Sequence, residues 1–131
     1  MQHVAIILFL FILAPNVAVA GNYIAHSCDR NQNQKDLNIC SFEAYKNADE
    51  ILNKVYQKAL DIIGDSDEQE EKFRASQSAW IKYRDLTCAF ESGPRENSGT
   101  IWPLIMNNCM LRHTKQRTEE IPYFFQEWDY Y

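Results

Sequence analysis

Residues 35–63 read KDLNICSFEAYKNADEILNKVYQKALDII, and the fold turns on this stretch. Apolar or small side chains recur there at helical spacing: Leu37, Ser41, Tyr45, Ala48, Leu52, Val55, Tyr56, Ala59, Leu60 and Ile63. One such stripe predicts a long amphipathic helix with a single face turned to a core. Gly64 follows the last stripe residue, where a helix cap is expected. Asp65, Ser66 and Asp67 then offer N-caps, and Glu68, Glu70 and Glu71 suit the positive end of a second helix dipole. That helix is predicted over 67–91, with the stripe Phe73, Ser76, Gln77, Trp80, Tyr83, Arg84, Thr87, Cys88 and Phe90. Residues 92–99, SGPRENSG, are dense in breakers and read as a loop. A third helix starts near Thr100, tolerates Pro103 in its first turn, carries Ile101, Trp102, Ile105, Met106 and Cys109, and stops at Pro122. No segment carries a strand signal. The expected fold is all-α, a small three-helix antiparallel bundle with an N-terminal arm over 21–34.

The chain has 131 residues, enough for one domain, and a net charge of −5. That acidic balance argues against nucleic-acid binding and favours attraction to basic partners. Residues 1–20 contain no Lys, Arg, Asp or Glu and end in Ala18-Val19-Ala20. Small residues at those positions predict a secretory signal peptide cleaved before Gly21, although its first residues lack Lys and Arg. The rival reading, an uncleaved anchor, is opposed by Pro15 and Asn16, which interrupt the apolar run short of the roughly 20 residues a span needs. A lipid anchor needs a cysteine just after the apolar run, but the first cysteine is Cys28. The chain is therefore expected to be periplasmic or secreted, without a stable membrane anchor after cleavage.

Cys28, Cys40, Cys88 and Cys109 all follow that segment, and an even count in a small exported domain predicts two disulfides. Of the three possible connectivities, Cys28–Cys40 with Cys88–Cys109 closes the shortest loops. Zinc is the competing use, since Cys109-x3-His113 has helical ligand spacing and His26 and Cys28 could join it. An oxidising compartment disfavours free thiolates, so neither metal nor cofactor is expected.

Two charges break the stripes. Asp49 falls on the apolar face of the first helix and Arg84 on that of the second. A charge on a core face is costly unless paired, which predicts an Asp49–Arg84 ion pair, with Gln77 and Asn53 satisfying the remaining polar atoms. The alternative is that Arg84 lines a site. The chain contains none of the motifs G-x-S-x-G, G-x-G-x-x-G, P-loop, H-E-x-x-H or C-x-x-C. His113 reads as a partly buried structural histidine beside Cys109, and the chain is not expected to be an enzyme.

Leu37-Asn38-x-Cys40, Ala48-Asp49-x-x-Leu52-Asn53-x-x-Tyr56, Gln77-x-x-Trp80-Ile81-x-Tyr83-Arg84-Asp85-x-x-Cys88, Ser98-Gly99-Thr100-Ile101, and Cys109 with Thr114-x-x-Arg117 form one series. Together they resemble the LprI-type lysozyme-inhibitor domain family, small exported bacterial helical domains. The resemblance runs from about Cys28 to Glu120. It implies an all-helical, disulfide-bonded domain outside the cytoplasm and a role in blocking lysozyme through protein–protein contact. The domain is taken as 21–121, and the tail 122–131 lies outside the resemblance.

Lysozymes are generally basic, so an acidic inhibitor gains a faster encounter. The loop over 92–100 could carry Arg95, Asn97 and Ser98 toward the catalytic carboxylates of a lysozyme, preorganised by a Cys88–Cys109 bridge. Six of the last nine residues are aromatic. Phe124, Phe125 and Trp128 are expected to fold back onto the bundle; the alternative is an exposed arm of binding hot spots. The rival function is a periplasmic immunity or envelope-stress module that binds a different protein, such as another hydrolase.

Overall fold

The computed structural model describes Cys28, Asp29 and residues 31–126. The expected signal peptide, His26 and Trp128 lie outside the described residues. Helix α1 spans Gln34–Ile63, α2 Asp67–Ser92 and α3 Trp102–Glu120. Short 3₁₀ turns occupy Arg95–Asn97, Gly99–Ile101 and Ile121–Phe125, and the described residues contain no strand.

The boundaries follow from local chemistry. Asn33 caps α1: its side-chain oxygen accepts from the Asp36 N–H at 3.0 Å and its amide donates to the Asp36 carboxylate at 2.7 Å. Gly64 ends α1 at φ 64°, with its N–H donating to Leu60 O. Ser66 holds the N-cap of α2 without a side-chain bond, its carbonyl accepting from Glu70 N–H at 2.9 Å. Just before α1, Gln32 N–H donates to Asp29 O and closes a tight turn in the arm.

Both local disulfides are present, Cys28–Cys40 and Cys88–Cys109. The first ties the segment before α1 to its second turn. The second ties the end of α2 to the middle of α3.

The helices alternate in direction, so α3 runs parallel to α1. Near its start Asn107 donates to Ser41 Oγ at 3.1 Å, and beyond its end Ile121 packs with Leu52, Ala59 and Ile63. Three apolar clusters are strung along the bundle. Leu52, Ala59, Ile63, Phe73 and Ile121 fill the α1–α2 hairpin end. Cys88, Cys109 and Met110 fill the middle, and Cys28, Leu37 and Leu104 the opposite end.

The α1 stripe is buried or half-buried along its length, whereas part of the α2 stripe is exposed. Phe73, Gln77, Arg84 and Cys88 are buried, but Tyr83 is exposed and Phe90 is 89 % exposed. Helix α3 covers the α2 stripe only in part, so Tyr83 and Phe90 stay largely in water. The tail folds back in part: Phe125 meets Phe73 edge-on at 6.3 Å, and Phe124 lies against the Arg117 guanidinium.

Two buried arginines fill the spaces between helices. Arg84 donates to the Asp85 carboxylate at 2.9 Å and lies 3.6 Å from that of Asp49. Asn53 donates to Asp49 at 3.4 Å. Gln77 does not serve this pair, contrary to expectation, because its oxygen accepts from Arg117 Nε at 3.0 Å. Arg117 also donates to Ser76 and Glu120, and the Trp80 ring lies near both guanidinium groups. No described helix is long and apolar enough to cross a membrane.

Candidate functional site

The loop joining α2 to α3 is held from three sides. Gly93 ends α2 at φ 68°, a conformation that favours glycine. The Trp102 indole N–H reaches back across the loop to Gly93 O at 3.0 Å. Asn38, on the second turn of α1, donates to Thr100 O at 2.9 Å. The Cys88–Cys109 bridge sits one turn behind the loop and is fully buried. The loop is therefore pinned to all three helices.

The three loop residues singled out from the sequence have different surroundings. Arg95 is exposed but folded back, its guanidinium carbon 5.3 Å from the centre of the Trp102 ring. Asn97 is exposed. The Ser98 hydroxyl donates to Pro94 O at 2.8 Å, so it closes the loop on itself. That use departs from the role of a free hydroxyl, and it follows from the need to satisfy carbonyls at the end of a helix.

Arg95 also lines a cleft of about 510 Å³ between the loop and the first turns of α1. Lys35 stands on the α1 side, and Ile39, Trp102 and Pro103 supply apolar walls. Gln34 and Asn38 also border the cleft, but the Gln34 amide is already bonded to Asn38 at 2.9 Å. Arg74, Arg84, Arg112 and Arg117 each pair with a carboxylate. Among the described residues Arg95 is the one arginine without such a partner, and Lys35 has none either. Two uncompensated cations thus face one partly apolar cleft.

Lys35 was missing from the sequence reading. Nothing in a one-dimensional stripe brings it near Arg95, sixty positions away. A second missed feature is the strip Tyr83, Leu86 and Phe90 along the outer edge of α2, all exposed and spaced by about a helical turn.

The Cys88, Cys109 and His113 ligand atoms lie within 4.8 Å of one another. The two sulfurs are bonded to each other, so they offer no thiolate for the zinc arrangement that the spacing allowed. Burial and the neighbouring Arg112 hold the His113 imidazole below its ordinary 6.5. Its Nε2 is buried without a hydrogen-bond partner, and the ring meets Tyr83 edge-on at 5.7 Å. These are the surroundings of a structural histidine whose uncharged form is favoured.

The profile of the family described as lysozyme inhibitor LprI matches residues 27–121, which includes all three helices, both disulfides and the loop. An uncharacterized protein of Rhizobium meliloti (strain 1021) is 30 % identical over 105 residues, covering 72 % of this chain and 75 % of that protein. No solved structure matches the chain.

Proposed function

Because the chain belongs to the lysozyme inhibitor LprI family, we propose that it is an exported protein that binds a lysozyme and blocks it by protein–protein contact. The observation that carries the site is the unpaired Arg95 on a loop pinned to all three helices. Glycosidases of this kind place two carboxyl groups around the bond they cleave. An arginine without a carboxylate of its own is suited to such a group, since a charge-assisted bond is roughly twice as strong as a neutral one. Pinning the loop lowers the ordering cost of docking. The net charge of −5 adds long-range attraction toward a basic partner.

Asn97 lies beside Arg95 and supplies an amide to the same contact, while Ser98 acts by holding the loop shape. Phe124 and Phe125 support the bundle from the far end and take no part in the contact. The protein acts by binding and turns nothing over. The acidic balance favours a basic protein over nucleic acid as the partner. Two disulfides suit the oxidising periplasm or exterior that this role requires.

One observation favours the second reading, an immunity or envelope-stress module with a different protein partner. The strip Tyr83, Leu86 and Phe90 offers an apolar docking edge that a carboxylate-lined cleft does not call for. Affinity capture with Arg95→Ala and Leu86→Asp variants separates the two. A lysozyme contact is lost with the first substitution, and a contact through the strip with the second.

A further inference from the structure

We propose that the cleft between α1 and the α2–α3 loop is a binding site for a carboxylate attached to an apolar group, the chemistry of a peptide C-terminus. This goes beyond the inhibitory contact, because it uses Lys35, Ile39 and Pro103 and concerns a ligand that enters the protein.

The cleft has two cations and no carboxylate among its lining residues, in a chain whose other described arginines are all paired. Arg95 and Lys35 border it from opposite elements, the loop and α1. Arg95 is oriented by the Trp102 ring, which the Gly93 carbonyl fixes in turn. Its guanidinium already rests on that ring at the cleft, and such placement reduces the cost of binding. Of the other polar lining residues, Gln34 donates to Asn38, Asn38 donates to Thr100 O, and Thr100 adds a hydroxyl, none of them charged. They leave the charge of the cations as the available recognition.

The body of the ligand follows from the walls. Ile39, Trp102 and Pro103 present apolar surface that a purely polar anion such as phosphate would leave unused. A volume of about 510 Å³ lies within the roughly 300–1,000 Å³ of small-ligand sites and accommodates the last two residues of a peptide. The carboxylate meets Arg95 and Lys35, and the terminal apolar side chain lies against Ile39 and Pro103. Capture of a chain terminus by fixed donors is an established recognition mode.

The test is calorimetric titration of the oxidised protein at low salt with acetyl-Ala-Leu, and with the same dipeptide carrying a C-terminal amide. Lysozyme is absent, so the result does not depend on the inhibitory reading. The expected result is saturable binding of the acid, at least about tenfold weaker for the amide. Arg95→Gln and Lys35→Gln are each expected to weaken the acid by a similar factor. Lys35 is exposed, so its variant keeps the fold and secures the test if Arg95→Gln is less stable. Absence of saturable binding, equal binding of acid and amide, or binding indifferent to both substitutions overturns the proposal.

Discussion

The guanidinium of Arg95 rests 5.3 Å from the centre of the Trp102 ring, and that ring is itself tied to Gly93 O at 3.0 Å. The one described arginine without a carboxylate partner is thus held by an aromatic ring at the junction of loop and helix. Arg95→Ala should leave the melting temperature almost unchanged, because the side chain is exposed and makes no ion pair. It should weaken inhibition of a lysozyme about tenfold or more. Trp102→Leu should weaken inhibition as well, and should also destabilise the loop by about 1–3 kcal/mol through the lost ring and indole bond. Dose–response curves in a lysis assay, with thermal melts of the same samples, check both.

Arg84 and Asp49 are not equal partners. The Arg84 side chain is 8 % exposed, whereas that of Asp49 is 39 % exposed and stands 3.6 Å away, farther than Asp85. Asp49→Ala is therefore expected to cost about 1 kcal/mol or less, in the range of exposed pairs. Arg84→Ala removes contacts with Tyr45 and Trp80 and the bond to Asp85, and should cost about 2–3 kcal/mol. Urea denaturation of the two variants measures the difference.

Phe125 closes the hairpin-end core against Phe73. Phe125→Ala should lower stability by about 1–3 kcal/mol, below the usual core value because the ring is only half-buried. Phe124→Ala should cost less, about 1 kcal/mol, since it uncovers only one face of Arg117. Equal melts for wild type and Phe125→Ala would show that the tail does not belong to the core.

His113 makes stability fall on mild acidification. Its folded-state pKa is held below 6.5, chiefly by burial and then by Arg112. As pH drops through about 6.5 the unfolded chain takes up a proton that the folded chain does not, so stability is lost from there down to the lower folded-state value. His113→Gln should flatten the melting temperature across pH 7.5 to 5.5, whereas the wild-type protein should lose stability over that interval.

The sequence made the helices legible because each carries an apolar stripe, and Gly64 and Gly93 stand where α1 and α2 end. The Asn33 cap was not marked by the apolar stripe, because it lies in the polar stretch ahead of it and shows only in the bond it accepts from Asp36 N–H. The disulfides followed from loop length and compartment. A helical wheel shows which face is apolar but not how much of it the third helix covers, and so it puts Tyr83 and Phe90 inside, where the fold leaves both exposed. Gln77 illustrates the same limit, because its partner Arg117 lies forty positions away. Of the cleft, the sequence showed Arg95 as a loop cation and left Lys35 unmarked, since only the packing of α1 against the loop brings them to one opening.

Lysis of a bacterial suspension reports inhibition of a lysozyme directly. Several lysozyme types are to be assayed with and without the oxidised chain from Gly21 onward. At least one type should be inhibited stoichiometrically, and Arg95→Ala should relieve that inhibition. Lysis at the same rate with and without the protein, for every type, would contradict the proposed inhibition.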